Sequence, residues 1–168
     1  MKITTKKLTY LSLFTAVAIV LSYLEFILPP ILPAVPGIKL GLANIIIIFL
    51  LYKFSLRSAV TVSLVRIFLV ALLFGNTLTL IYSLFGAAFS LFIMGLLKKI
   101  GCFSKIGISI SGGVFHNLGQ IVAAVIIMET KEIAYFIIPL TISGIVSGTV
   151  TGLAAYYLIK ISLKQKKY

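Results

Sequence analysis

A cation stands in this chain where a charge is hardest to keep. Arg66 lies midway along an apolar stretch, in SLVRIFLV, about eight residues from either end. A guanidinium stays protonated, and a cation at the centre of a lipid-embedded helix costs about 2.5–3.5 kcal/mol on insertion scales. Arg66 must therefore meet a carboxylate, backbone carbonyls, water or an anionic ligand. Glu25 is the one acid within an apolar stretch. Its axial separation from Arg66 is roughly 10 Å at 1.5 Å per residue, which two long side chains can bridge directly or through water. Contact with a ligand is the other reading, and the two can coexist.

A second polar group sits in GGVFHNLGQ. Gly112, His116 and Gln120 are spaced four apart, on one helical face, with Gly113 and Asn117 beside them. The glycines leave room and the amides offer donors and acceptors. Hydrogen bonding between helices is one account of them; the wall of a polar pocket is the other. A metal is not expected at His116, since neither a second histidine nor a cysteine cluster accompanies it. Lys39 and Asn44 add polar groups at the start of another apolar stretch, and Asn76 stands at a Gly-Asn turn. Glu25, Lys39, Asn44, Arg66, Asn76, His116, Asn117 and Gln120 together sketch an outward-facing pocket for a small anionic or strongly polar solute. Catalytic residues and a resident cofactor are not expected. There is no aspartate, no paired acid, no nucleophile–base set and no phosphate-binding glycine loop, so the chain is not expected to hydrolyse ATP or to act as an enzyme.

The elements that must position these residues are apolar. Of 168 residues 61% are hydrophobic, with a net charge of +12. The runs lack the alternation of membrane β-strands. The expected fold is all-α: a single integral membrane domain over 1–168, a polytopic bundle of six transmembrane helices. The spans are placed at about Leu8–Leu28, Leu40–Leu51, Ser58–Phe74, Thr77–Leu97, Ile106–Met128 and Ile133–Ile159. The second is too short to cross alone, so part of the proline-rich segment Pro29–Ile38 is expected at membrane depth. That is tolerated where backbone is protein-buried or faces a water-filled cavity.

Charge orients the bundle. Lys2, Lys6 and Lys7, then Lys53 and Arg57, then Lys98, Lys99 and Lys105, then Lys160, Lys164, Lys166 and Lys167 fall on one side of such a bundle. An excess of Lys/Arg marks the cytoplasmic face, which puts both termini inside, in a bacterial plasma membrane. Glu25, Glu129 and Glu132 fall toward the opposite face. The cations sit in short loops rather than on one stripe, so they read as topology signals and lipid-headgroup contacts, not as a nucleic-acid surface. Tyr10, Tyr52, Tyr156 and Tyr157 mark the inner interface, Tyr23 and Tyr135 the outer one. The basic start resembles a signal peptide, but the long first run without a small-residue cleavage site reads as an uncleaved span. The lone Cys102 excludes an intrachain disulfide. Gly144, Gly148 and Gly152 form a ladder of small residues that permits close helix approach, within the bundle or against a partner. Ser12 and Ala16 repeat that spacing in the first span.

PGIKLGLANI (Pro36–Ile45), SLVRIFLVALLFG (Ser63–Gly75) and FHNLGQ (Phe115–Gln120) resemble, in that order, the Gx transporter family, often labelled heptaprenyl diphosphate synthase component I. That family is similar to the substrate-binding S components of energy-coupling factor (ECF) transporters. The resemblance implies six helices with both termini inside and an outward pocket for a vitamin, flavin or isoprenoid-precursor type of solute. It also implies partners: a transmembrane coupling subunit and ATPase subunits. The first helix of S components meets the coupling subunit through an A-x-x-x-A motif. Ser12-x-x-x-Ala16 is the nearest match and differs at its first position. An accessory role in a flavin- or quinone-linked electron-transfer assembly, with a flavoprotein partner and no transport, is the alternative.

Overall fold

The structure is a computed structural model, and it describes residues 4–27, 41–129 and 131–164. Among these residues there are six α-helices and no strand: α1 (Thr5–Ile27), α2 (Asn44–Lys53), α3 (Leu56–Leu73), α4 (Thr77–Ile100), α5 (Lys105–Met128) and α6 (Ile137–Lys164). A 3-10 segment, Lys131–Phe136, leads into α6. Five helices are long and apolar enough to cross a membrane; α2 is the exception. At 1.5 Å per residue α2 is about 15 Å long, half the ~30 Å hydrocarbon core. The sixth span starts later than the apolar run implies. Pro139 falls in the first turn of α6, where a missing N–H costs nothing.

Sequence chemistry closes the helix ends. Ser55 and Ser104 cap α3 and α5, accepting from the backbone N–H of Ser58 and Gly107. Asn76 caps α4 in a reciprocal capping box with Thr79. Gly101 ends α4 in the left-handed conformation, with φ 81°. Hydroxyls inside the apolar helices bond back to carbonyls one turn earlier, as Thr15 does to Leu11 at 2.8 Å and Thr149 to Ile145 at 2.7 Å. In lipid this local bonding satisfies a donor that water cannot reach.

Helix α2 is the centre of the core. Its run of isoleucines has modest intrinsic helix propensity, yet Ile46, Ile47, Ile48, Phe49, Leu50 and Leu51 are all buried. A helix apolar all round is stable when surrounded, and α2 packs against α1, α3 and α6. Ala18, Ala59, Ala87 and Ala155 join the same cluster and let neighbouring backbones come close. On α5, Gly112 and Gly119 turn toward α4, and Gly113 turns toward α6. The ladder of α6 lies on α5. A Cβ at Gly144 would stand 2.8 Å from the Val114 Cα, and one at Gly148 2.7 Å from the Ile110 Cα. Ser109 locks this seam, donating to the Gly148 carbonyl at 2.7 Å beside Thr151. The ladder is therefore an internal packing device.

Cations gather at one end of the bundle. Lys53 donates to the Ser162 carbonyl and Lys98 to the Leu51 carbonyl. Lys105 lies over the rings of both Tyr52 and Tyr156, 5.6 Å from each centroid. Glu25 and Glu129 lie toward the other end, as do the Tyr23–Phe74 and Phe26–Phe74 ring pairs. The outer faces are apolar: Leu72 is 81% exposed and Phe92 73% exposed. Lipid covers such a surface without cost, whereas a patch of this extent in water drives association.

Candidate functional site

Polar side chains from all six helices converge on one cavity. Ser22 and Glu25 come from α1, Asn44 from α2, Arg66 from α3 and Ser83 from α4. His116, Asn117 and Gln120 come from α5, and Ser147 from α6. Phe26, Ile67 and Val70 supply apolar wall. The cavity measures about 90 Å³. Pockets that enclose drug-sized ligands run to about 300–1,000 Å³, so this space suits a small solute or one end of a longer one.

Arg66 is held from one side. Its Nη1 donates to the Ser22 Oγ at 3.3 Å. That hydroxyl spends its own proton on the Ala18 carbonyl at 2.9 Å, leaving a lone pair toward the guanidinium. The Nε of Arg66 is buried and has no hydrogen-bond partner among the described residues. Buried donors are nearly always paired, and leaving one unmet costs about 1–3 kcal/mol. An acceptor entering the cavity would relieve it. Glu25 lies one helical turn from Ser22 on the same face of α1, and its charge attracts that of Arg66. Its Oε1 also accepts from the backbone N–H of Gly41. Gly41 has φ 67°, a conformation that glycine adopts at little cost. The same carboxylate thus ties the entry of α2 to the end of α1.

The α5 cluster serves both purposes read from its sequence. Asn117 donates to the Leu140 carbonyl of α6 at 2.6 Å, so it joins two helices as well as lining the cavity. The His116 ring lies against Gly86 of α4: a Cβ on Gly86 would fall 2.8–3.0 Å from three ring atoms. The close α4–α5 approach, with Gly119 against the Phe85 carbonyl, fixes the ring at the cavity wall.

The family model for heptaprenyl diphosphate synthase component I matches residues 14–158. The chain belongs to that family. Neither a curated protein nor a solved structure matches it. The synthase part of the family's description finds no matching chemistry in the cavity. Hard cations such as Mg²⁺ take oxygen ligands, carboxylates foremost. Glu25 is the one carboxylate in the described lining, and it faces a guanidinium. Among the described residues no group of three His, Cys, Asp or Glu converges. These side chains do not fit a Mg²⁺–diphosphate centre.

Of the residues singled out from sequence, Glu25, Asn44, Arg66, His116, Asn117 and Gln120 meet in the cavity. Asn76 does not line it; its side chain is occupied as the cap of α4. Lys39 and the segment Pro29–Ile38 lie outside the described residues. Ser12 and Ala16 face a separate groove of about 710 Å³ between α1 and α3, with Lys7 and Arg57 at its basic end. Three hydroxyls of the cavity, Ser22, Ser83 and Ser147, escaped the sequence reading. Ser22 carries one usable signal, its three-residue spacing from Glu25 on α1. Ser83 and Ser147 carry none, because a serine in an apolar helix satisfies itself locally as readily as it lines a site.

Proposed function

We propose that this chain is the substrate-binding membrane subunit of an ECF-type transporter, taking a small polar or anionic solute from the outer side. The observation that carries the proposal is the unmet Arg66 Nε in a cavity lined by polar groups from every helix. A mid-membrane cation held on one side and unmet on the other is costly to keep for structure alone. Its cost is recovered when a solute supplies the missing acceptor. Burial of a charge or polar group behind an apolar shell with a few convergent donors is the usual build of a small-molecule site.

In this reading both termini are cytoplasmic and the basic end faces the inner leaflet; the excess of Lys/Arg there supports it. The acidic end, nearer the cavity, faces out. The chain carries no phosphate-binding loop for ATP, so a coupling subunit and ATPase subunits would supply energy. The α1 face that bears Ser12 and Ala16 is where close helix packing would dock the coupling subunit.

Mass spectrometry of the solute that stays with the purified protein tests this. A defined small polar compound should co-purify with the native chain and be lost from Arg66→Gln. Arg66→Gln that retains the compound as well as the native chain, while still folded, would refute the assignment. A second reading follows from the family description, an accessory membrane component of prenyl diphosphate synthesis. Recovery of a soluble prenyl synthase or a flavoprotein with the tagged chain, in place of ATPase subunits, would favour it.

A further inference from the structure

The groove between α1 and α3 has the two-part chemistry of an amphiphile. Lys7 and Arg57 stand at one end, and Leu11, Ile19, Val65 and Leu69 line its length. Twelve residues separate Lys7 from Ile19 on α1 and Arg57 from Leu69 on α3, about 18 Å of rise on each helix. One leaflet's share of the ~30 Å hydrocarbon core is about 15 Å. Hydroxyls of the wall are spent locally. Thr15 donates to the Leu11 carbonyl and Thr61 to the Arg57 carbonyl, while Ser58 pairs with Ser55. A polar occupant would find few open partners along these walls. The cations are placed otherwise. The chain has three acidic side chains. Glu25 lies eighteen residues beyond Lys7 on α1, about 27 Å along the helix. Glu129 ends α5, and Glu132 belongs to the 3-10 segment that follows. All three sit on elements at the other end of the bundle, so no side-chain carboxylate serves Lys7 or Arg57. Helix α1 is also the least covered of the five long helices, with 6% of its most apolar stretch buried against 28–33% in the others. The groove therefore opens toward lipid.

We propose that this groove holds one anionic phospholipid, its phosphate between Lys7 and Arg57 and an acyl chain along the α1–α3 wall. The planar guanidinium of Arg57 can meet two phosphate oxygens at once, and Lys7 adds a compact point charge. Basic pockets between membrane helices on the cytoplasmic side are favoured sites for such headgroups, and the basic end is the inner one in the orientation proposed above. The groove's volume, about 710 Å³, falls in the ~300–1,000 Å³ range of small-molecule sites, which suits an ordered chain better than a shallow crease. None of its lining residues lines the solute cavity, so the lipid site is independent of the solute reading. The coupling subunit proposed for the same face of α1 would meet this lipid first.

The test titrates the full-length protein in dodecyl maltoside with dioleoyl phosphatidylglycerol or dioleoyl phosphatidylcholine and counts bound lipids by native mass spectrometry. The two lipids share their acyl chains and differ in net charge. The first phosphatidylglycerol should bind about tenfold or more tightly than the first phosphatidylcholine, since each cation beside an anionic headgroup contributes about fivefold. The double variant Lys7→Gln/Arg57→Gln should bind phosphatidylglycerol as weakly as phosphatidylcholine. Lys99→Gln/Lys160→Gln removes two exposed cations elsewhere at the same end and should keep the tight site. Ala16→Phe fills the groove where the chain would run and should lose the tight site although both cations remain. Equal affinity for the two lipids in the native protein overturns the proposal and leaves the groove to a protein partner. An equal loss in both double variants overturns it as well, because the preference would then be a property of the whole basic end. A tight site that survives Ala16→Phe overturns it too, since the phosphate would be held without the groove. Circular dichroism checks that each variant is helical, and the two-lipid comparison on the native chain decides the matter even where a variant fails to fold. None of these failures touches the solute-site reading.

Discussion

Replacing Gly148 by alanine should part α6 from α5, the helix that brings Gly113, His116, Asn117 and Gln120 to the cavity. An ideal Cβ at this position stands 2.7 Å from the Ile110 Cα and 2.8 Å from the Ser109 carbonyl oxygen, both backbone atoms of α5. Ordinary contact begins near 3.4 Å, so the seam must open by about 0.7 Å (3.4 less 2.7). Backbone cannot turn aside as a side chain does. Overpacking of this kind costs about 1–3 kcal/mol. Stretching the Ser109–Gly148 hydrogen bond adds roughly 0.6 kcal/mol, a typical value within membranes. The better helix propensity of alanine returns up to about 1 kcal/mol, which leaves a net loss of about 1–3 kcal/mol. Gly95→Ala is the matched control. Its Cβ would press on the methyl ends of Leu56, a side chain that can rotate, so the variant should be neutral or slightly stabilised. Both are compared by reversible unfolding in mixed micelles of dodecyl maltoside and SDS, followed by far-UV circular dichroism. Gly148→Ala within about 0.5 kcal/mol of Gly95→Ala, the usual scatter of neutral substitutions, would refute the α5–α6 seam described here.

Gly86→Ala should act on the cavity more than on the fold: its Cβ presses on the His116 ring at 2.8–3.0 Å, so solute retention should fall while the melting temperature moves by a few degrees at most (about 1 kcal/mol). Retention equal to the native chain would show that the ring position does not matter. Ala16→Leu, which fills the α1–α3 groove, should lower recovery of the coupling subunit without lowering the melting temperature; unchanged assembly would remove α1 from the interface. The exposed native Cys102 at the basic end should react with a membrane-impermeant maleimide in inverted vesicles and not in intact cells. The reverse pattern would invert the topology, and in a Cys102→Ser background a cysteine at Thr130 should label only from outside.

The periodic text of this chain was enough to announce most of its helices. Long apolar runs, basic punctuation and the Gly75-Asn76 turn mark helix ends to within a few residues, because backbone satisfaction in lipid permits few alternatives. The second helix was harder. Leu40–Leu51 reads only as a span too short to cross alone, and its neighbours on three sides show that its helix is the core. Asn76 illustrates the opposite error of emphasis: a polar residue at a turn looked available for a ligand, and local capping had already claimed it.

Sequence by itself determined that Arg66, Glu25 and the His116–Gln120 cluster needed an explanation, because lipid makes any polar group conspicuous. It also determined that a small-residue ladder would pack closely, though not against what. Tertiary structure alone decided that the ladder of α6 faces α5, that Ser22 receives Arg66, and that Glu25 bonds to Gly41 while sharing a cavity with the guanidinium. The physical reason is rotational. Periodicity fixes which residues share a helix face, but the angle of each helix about its axis is set by the fit between neighbours. Six such angles together choose which polar groups meet.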